Sequence, residues 1–375
     1  MMPLPGCRPS SEMLPSPESP ASPWLSVLVP AFKVEDWLPA CLDSVLSQHQ
    51  PGIELLVLDD ASPDASGAIA RAYAGRHPGV LRVLAHGQNR GLAAARNTLL
   101  AAARGEYVWF LDSDDVLLPG AIAGLAAVLK ASAPDLVMCD FALLRERPRL
   151  HHRLRRRERH TPSFRGPADG EAAPERLARG LLGGGQLHAW SKIARRSIWQ
   201  QAPFPEGRYF EDIPTIPALV RAVRRWHHAA SPWVGYRQRA GSILASDSPA
   251  KVRDLLLGLR ELHTGLATPS MAPARDALDA YVLRALASAA RRLRRLSGRT
   301  EPEALAPVQR LHAEVLAACF PDGGAAVLRA WRRQGAWIRA WRIRQRLGQL
   351  APARGQFDER AASSTLRRQA ERRGD

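Results

Sequence analysis

Between residues 25 and 139 the chain alternates short apolar runs with longer amphipathic stretches. The runs at 25–30, 53–58, 80–84, 106–111 and 136–139 have strand length and little internal polarity. Between them, Trp37, Leu38, Cys41, Leu42, Val45 and Leu46 recur at helical spacing. A second helix, capped at Asp64 or Ser66, extends to about Ala74, an alanine-rich third covers 91–103, and a fourth follows Pro119, a residue suited to a helix start. Continuous apolar strands separated by helices predict a parallel sheet covered on both faces, an α/β doubly wound fold. From 251 to 350 the pattern is helical throughout, dominated by alanine, leucine and arginine. The predicted architecture is therefore a mostly parallel, doubly wound sheet followed by an α-helical C-terminal region.

Composition divides the chain further. Residues 1–23 hold seven prolines and no apolar h-region, which predicts a disordered leader rather than a signal peptide. The expected units are 24–140 and 175–246 as two halves of the α/β region, 141–174 as an Arg-rich insertion or linker, 247–350 as the helical region and 351–375 as a polar tail. No run of 18 or more apolar residues occurs, so no transmembrane helix is expected. Cys7, Cys41, Cys139 and Cys319 are scattered, as in a reduced intracellular protein, which predicts a cytoplasmic location. The net charge of +17 is concentrated in two segments, net +6 over 145–160 and net +8 over 321–375. With a pI near 10.9 this raises nucleic-acid binding as a competing class. No nucleic-acid motif or interleaved aromatic surface accompanies the charge, and no nucleic-acid partner is expected. His151, His152, His160, His227 and His228 do not form a zinc-ligand pattern.

The strongest chemical signal is the run Gly105-Glu-Tyr-Val-Trp-Phe-Leu-Asp-Ser-Asp-Asp115, an apolar strand driving into three carboxylates. Such acids either cap the next helix or gather a cation, and at a strand's C-terminal end they lie where open α/β sheets bind ligands. Hard oxygen donors suit magnesium or manganese together with substrate phosphates. The first strand lacks a glycine-rich phosphate loop, which excludes the dinucleotide and P-loop classes.

Four ordered blocks make the signal specific: Ser26-Val-Leu-Val-Pro-Ala-Phe-Lys33, Leu56-Val-Leu-Asp-Asp-Ala-Ser-Pro-Asp64, Asn89-Arg-Gly-Leu-Ala-Ala-Ala-Arg-Asn97 and Phe110-Leu-Asp-Ser-Asp-Asp115. Together they resemble the signature of family 2 glycosyltransferases, whose fold is GT-A. The resemblance implies a donor site with Pro30, Ala31 and Phe32 against base and ribose, Asp60 hydrogen-bonded to the base and Asp59 supporting the turn. It further places Arg96 facing the nucleotide and Asp112, Ser113 and Asp114 in the Asp-x-Asp element. Asp114 and Asp112 would hold the metal, with Asp115 as an alternative ligand. Phe32 and Lys33 replace the tyrosine and asparagine commoner in the family.

Downstream, Ala189-Trp-Ser-Lys192 resembles the segment before the acceptor site, and Pro205-Glu-Gly-Arg-Tyr-Phe-Glu-Asp212 resembles the catalytic Glu-Asp motif. This implies Asp212 as general base with Glu211 beside it; the pair also suits the cap of the following helix. Tyr236-Arg-Gln-Arg-Ala-Gly-Ser242 resembles the element closing the catalytic domain, with Arg237 or Arg239 placed to neutralise diphosphate.

The activity so implied is inverting, non-processive transfer from a nucleotide-diphosphate sugar, with UDP as the expected nucleotide, to a glycan or lipid-linked acceptor. The alternative within the same chemistry, a sugar-nucleotide nucleotidyltransferase, would need a glycine-rich loop after the first strand. Between 328 and 347, Leu328, Trp331, Trp337, Ile338 and Trp341 fall mostly on one helical side among arginines. That pattern suits peripheral association with an anionic membrane surface, at its inner face, or packing against preceding helices.

Overall fold

The structure, a computed structural model, describes residues 22–145, 160–238 and 246–348. Most of the leader, residues 146–159 of the Arg-rich run, Arg239 and the polar tail lie outside the described residues. The first half runs β1 (Leu25–Ala31), α1 (Leu38–Leu46), β2 (Ile53–Asp59), α2 (Ser66–Arg76), β3 (Leu81–Ala85), α3 (Leu92–Ala102), β4 (Tyr107–Phe110), β5 (Val116–Leu117), α4 (Ala121–Ser132) and β6 (Leu136–Arg145). Then come β7 (Asp169–Glu171), α5 (Pro174–Gly184), β8 (Lys192–Arg195), α6 (Asp212–Ala222) and β9 (Arg225–Gln238). Five further helices follow: α7 (Pro249–Leu266), α8 (Arg275–Ser297), α9 (Pro302–Cys319), α10 (Ala325–Arg333) and α11 (Trp337–Gly348).

The strands form one mixed sheet in the order β3-β2-β1-β4-β8-β6-β9-β5, with β7 on β9. β1 pairs in parallel with β2 and β4, and β6 with β9, whereas β8 runs antiparallel between β4 and β6. The period-2 alternation of side chains explains the layers. Leu25, Val27, Val29 and Ala31 pack with α1, α2 and α4. Leu28, Leu56 and Leu58 face the opposite core, shared with α3, α5, α6 and the C-terminal helices. Each fully buried leucine or valine contributes ~1.5–3 kcal/mol, so a one-residue register slip would exchange the two cores and is strongly disfavoured. Gly105 allows close approach behind β1, because a Cβ there would lie 2.5 Å from the Ser26 amide nitrogen.

The sequence predicts β1 to β4 and the start of β6 with their helices, but β6 continues past Cys139 to Arg145, and β5, β7, β8 and β9 carry no clear apolar period. β8 and β9 contain Lys192, Arg195, Arg225, His227 and His228, and their strand state comes from their neighbours in the sheet. Residues 160–164 are stitched to β6: Thr161 bridges Phe141, while the buried Asp140 accepts from the Ser163 amide and bonds His160 and His228.

The C-terminal aromatic stripe is divided. Gly335, at φ +76°, separates α10 from α11. Leu328 and Trp331 enter the core, while Trp337, Ile338 and Trp341 remain exposed. No described helix is long and apolar enough to cross a membrane.

Candidate active site

The strand order reverses between β1 and β4, so the crevice at their C-terminal ends is the topological switch point. The backbone there is unusual. Lys33 and Ala61, just past β1 and β2, have φ of +55°, and Phe210, ahead of Glu211 and Asp212, has φ of +59°. Non-glycine residues in this region are strained, and such strain gathers where a turn must aim particular groups.

On one side of the crevice, Pro30 and Ala31 are buried at the end of β1, and the Phe32 ring is exposed with the Lys33 ammonium 5.2 Å above it. The Ala31 carbonyl accepts the Asp60 amide at 2.9 Å, tying the two turns together. Asp59 Oδ1 accepts the Ser62 amide at 2.9 Å. Both Asp60 oxygens are already engaged. Oδ1 accepts from the Arg90 amide at 2.9 Å and lies 2.6 Å from His86 Nδ1. Oδ2 accepts from the Gly91 amide at 2.7 Å and Asn89 Nδ2 at 2.9 Å. Asp60 thus organises the loop leading into α3.

On the other side lies Arg96, carried by α3 and almost wholly buried. One Nη1 donates to Glu211 Oε1 at 2.7 Å and Asp212 Oδ1 at 2.8 Å, and Nη2 donates to Asp112 Oδ1 at 2.8 Å. Phe204 and Phe110 pack on the guanidinium. Burial alone would lower the Arg96 pKa, but Asp212, Asp112 and Glu211 outweigh it and hold it above its ordinary value. Arg96 therefore joins a strand-end acid to the helix-start pair. Burial, then repulsion from Asp212, pushes the Glu211 carboxyl upward despite Arg96. Asp212 opens α6 and is the more exposed of the two.

The remaining acids sit in a field of their own making. Asp115 is buried and raised well above the ordinary carboxylate range, by burial first and then by Asp112 and Asp114. Its Oδ1 accepts the Arg237 amide at 2.7 Å, whereas Oδ2 is buried without a partner. Arg237 Nε donates to the Asp114 carbonyl at 2.8 Å. Ser113 is buried between Asp112 and Asp114.

His188 was not singled out in the sequence, and Lys192 was named only as part of the Trp-Ser-Lys segment. His188 Nδ1 lies 3.9 Å from Asp212 Oδ2, and its ring stacks on Trp190, which in turn stacks on Tyr236. Burial lowers the His188 pKa, so its neutral form is favoured beside Asp212. Lys192 is buried, and its ammonium donates to the carbonyls of Gln186 and His188 at 3.1 and 2.7 Å, fixing the turn that presents His188. The signal for His188 was its place two residues before Trp190 in the Trp-Ser-Lys block.

Residues 26–177 match the model of glycosyl transferase family 2. The chain is 40% identical over 119 residues to the uncharacterized glycosyltransferase EpsJ of Bacillus subtilis, an alignment covering 32% of this chain and 34% of that protein. It is 26% identical over 236 residues to the glycosyltransferase GlyG of Streptococcus pneumoniae, covering 60% of this chain and 73% of that one. Among solved structures, Staphylococcus aureus TarS residues 1–349, in complex with UDP-GlcNAc, superimposes with a TM-score of 0.65 at 21% identity. That superposition covers 87% of this chain and 91% of TarS 1–349, and it supports the same GT-A-type fold. Residues 26–177 of the chain thus form a glycosyl transferase family 2 domain.

Proposed function

We propose that the chain transfers a sugar, with inversion, from a nucleoside-diphosphate donor, a UDP-sugar in the first instance, to a hydroxyl of a glycan or lipid-linked acceptor. The carrying observation is the shared Arg96 guanidinium, which holds Asp112 from the donor side and Asp212 from the acceptor side of one crevice. In this reading the exposed Phe32 ring faces the base, with Pro30 and Ala31 shaping the pocket behind it. Asp59, Asp60 and Ser113 hold the surrounding turns.

A divalent cation fits the chemistry of the acids. Magnesium and manganese commonly use one or two carboxylates and take other ligands from substrate phosphate and water. Among the described residues no three acid, histidine or cysteine side chains form a complete cage, so donor phosphate would have to complete the shell. The unpartnered Asp115 Oδ2 and the mutual repulsion of Asp112, Asp114 and Asp115 favour a bound cation. Asp114 would hold it, with Asp112 and Asp115 alongside. When bound, such an ion neutralises charge developing on the leaving diphosphate.

Asp212 acts as the base. Arg96 fixes its Oδ1, leaving Oδ2 on the His188 side to take the proton of the acceptor hydroxyl. Glu211, pushed upward by burial and by Asp212, shares the Arg96 guanidinium beside it. Inversion needs one in-line displacement and no covalent nucleophile.

Docking to an anionic membrane belongs to the same reading. Trp337, Ile338 and Trp341 are 63%, 68% and 59% exposed, while Ala340, Ile343 and Leu347 bury the opposite face of α11. At roughly 100° per residue, Arg339, Arg342 and Arg346 flank one side of this apolar sector and Arg344 the other.

The test of the reading is a panel of nucleotide sugars assayed for Mn²⁺-dependent nucleotide release. One UDP-sugar should support turnover, and Asp112→Ala and Asp114→Ala should each abolish it and weaken UDP binding in Mn²⁺. Full activity in both variants would overturn the donor assignment.

A further inference from the structure

A second cleft, of about 590 Å³, opens where the end of α5 meets the C-terminal helices, and Arg165, Gln186, Tyr281, Arg284 and Arg339 line it. Its three arginines come from three separate parts of the chain: the 160–174 segment, α8 and α11. Burial first, then the charges of Arg339 and Arg165, disfavour the Arg284 cation, and Tyr281 is the opposing influence. Like charges converge here with no carboxylate among the residues lining the cleft. Such a cluster is unfavourable by itself and is relieved by an anion. Guanidinium forks match phosphate in shape and hydrogen bonding.

The cleft is built rather than incidental. Gly184 lets the 163–165 strand of chain lie against the end of α5, since a Cβ there would come within 2.4 Å of the Ser163 carbonyl oxygen. That contact brings Arg165 to the rim. One wall of the cleft belongs to the turn that presents His188 to Asp212. Gln186, in its wall, accepts from Lys192 and precedes His188 by two residues, and His188 lies 3.9 Å from Asp212. The Tyr281 phenol, also in the lining, is pushed up by burial against the lowering effect of Arg284, with Asp212 adding to the rise.

We infer that this cleft binds a phosphate group carried by the acceptor, so that the chain acts on phosphate-bearing glycans or lipid-phosphate-linked sugars in preference to neutral glycans. The inference rests on the reading of Asp212 as the mark of the acceptor side.

Calorimetric titration of sn-glycerol 3-phosphate into the full chain, saturated with UDP and Mg²⁺, tests it. The wild type should bind glycerol 3-phosphate and ignore glycerol. Arg165→Gln, Arg284→Gln and Arg339→Gln should each weaken binding on the order of 10-fold or more, with UDP affinity unchanged. Arg284→Lys should retain most of the affinity, which separates loss of charge from loss of fold. Unchanged glycerol 3-phosphate binding in the triple Gln variant would overturn the inference, as would a matching fall in UDP affinity, which would make the cleft part of the donor site. Asp212→Asn should leave glycerol 3-phosphate binding intact. If that variant keeps full turnover, the base assignment fails and with it the acceptor role given to the cleft. If it loses turnover while the Gln variants bind normally, only the phosphate inference falls. Dodecyl phosphate distinguishes the sources. Binding at least about tenfold tighter than glycerol 3-phosphate, and dependent on Trp337 and Trp341, assigns a lipid carrier. Equal binding assigns a phosphate of a water-soluble glycan, and either result supports the phosphate site.

Discussion

Replacing Arg96 with methionine keeps a straight, buried side chain and removes the cation that three carboxylates share. Removing one partner of a buried ion pair costs about 3–5 kcal/mol, because the other charge is left uncompensated. Three acids lose their partner here, yet the charges need not all survive: Glu211 is already shifted upward and takes a proton most readily. Protonation caps the loss, so we expect roughly 4 kcal/mol near pH 8 rather than a multiple of it. The pH dependence carries the sign. Arg96 is what holds the raised Glu211 carboxyl down, so without it the Glu211 pKa in the folded state lies further above its unfolded value. Native stability is then greatest below the unfolded pKa of Glu211 and is lost as pH rises through its folded one. Urea denaturation of the metal-free Arg96→Met protein should show a deficit smaller by about 1 kcal/mol or more at about pH 5 than at about pH 8. A deficit below about 1 kcal/mol at the higher pH, or one equal at both, would refute the account of Arg96 as the charge hub.

Three further outcomes follow from individual contacts. Asp115→Asn keeps an acceptor for the Arg237 amide and removes a carboxyl whose pKa is raised by burial, Asp112 and Asp114. With metal chelated it should stabilise the protein by about 1 kcal/mol or more near pH 8 and have little effect near pH 4, where the native carboxyl is already protonated, as denaturation at the two pH values would show. Asp60→Ala strips the acceptor from the Arg90 and Gly91 amides and from Asn89, and should lower stability by about 1–3 kcal/mol while raising amide exchange in residues 86–91. Trp337→Ser with Trp341→Ser should leave the fold's melting temperature nearly unchanged and reduce co-sedimentation with anionic vesicles, a binding that weakens with salt. Equal sedimentation of variant and wild type would remove α11 as the docking element.

The parts of the fold that were legible in the sequence are those where burial on both faces forces an apolar run. β1, β2 and β4 are buried along their whole lengths, and their composition says so. β8 and β9 are strands because of their neighbours, with lysine, arginine and histidine at many positions, and no period announces them. At the site, the acids were legible as types and spacing, whereas their connection was not. Arg96 meets Glu211 across 115 residues and Asp212 across 116, a pairing that only the tertiary fold supplies. Asp60 shows the opposite case: its carboxylate reads as a ligand contact, and its hydrogen bonds are spent on a neighbouring loop. The tryptophans at 331 and 341 share a spacing in the sequence, but the turn at Gly335 sends one into the core and leaves the other in solvent.

The central claim is that Asp212 takes the acceptor's proton, and Asp212→Asn tests it most directly. The change preserves size and the bond from Arg96 but cannot accept the proton. With the UDP-sugar and acceptor that support wild-type turnover, kcat should fall on the order of 10²–10⁴-fold while UDP binding in Mn²⁺ stays within about twofold. A variant that keeps its turnover at saturation and loses UDP affinity would place Asp212 on the donor side and contradict the account.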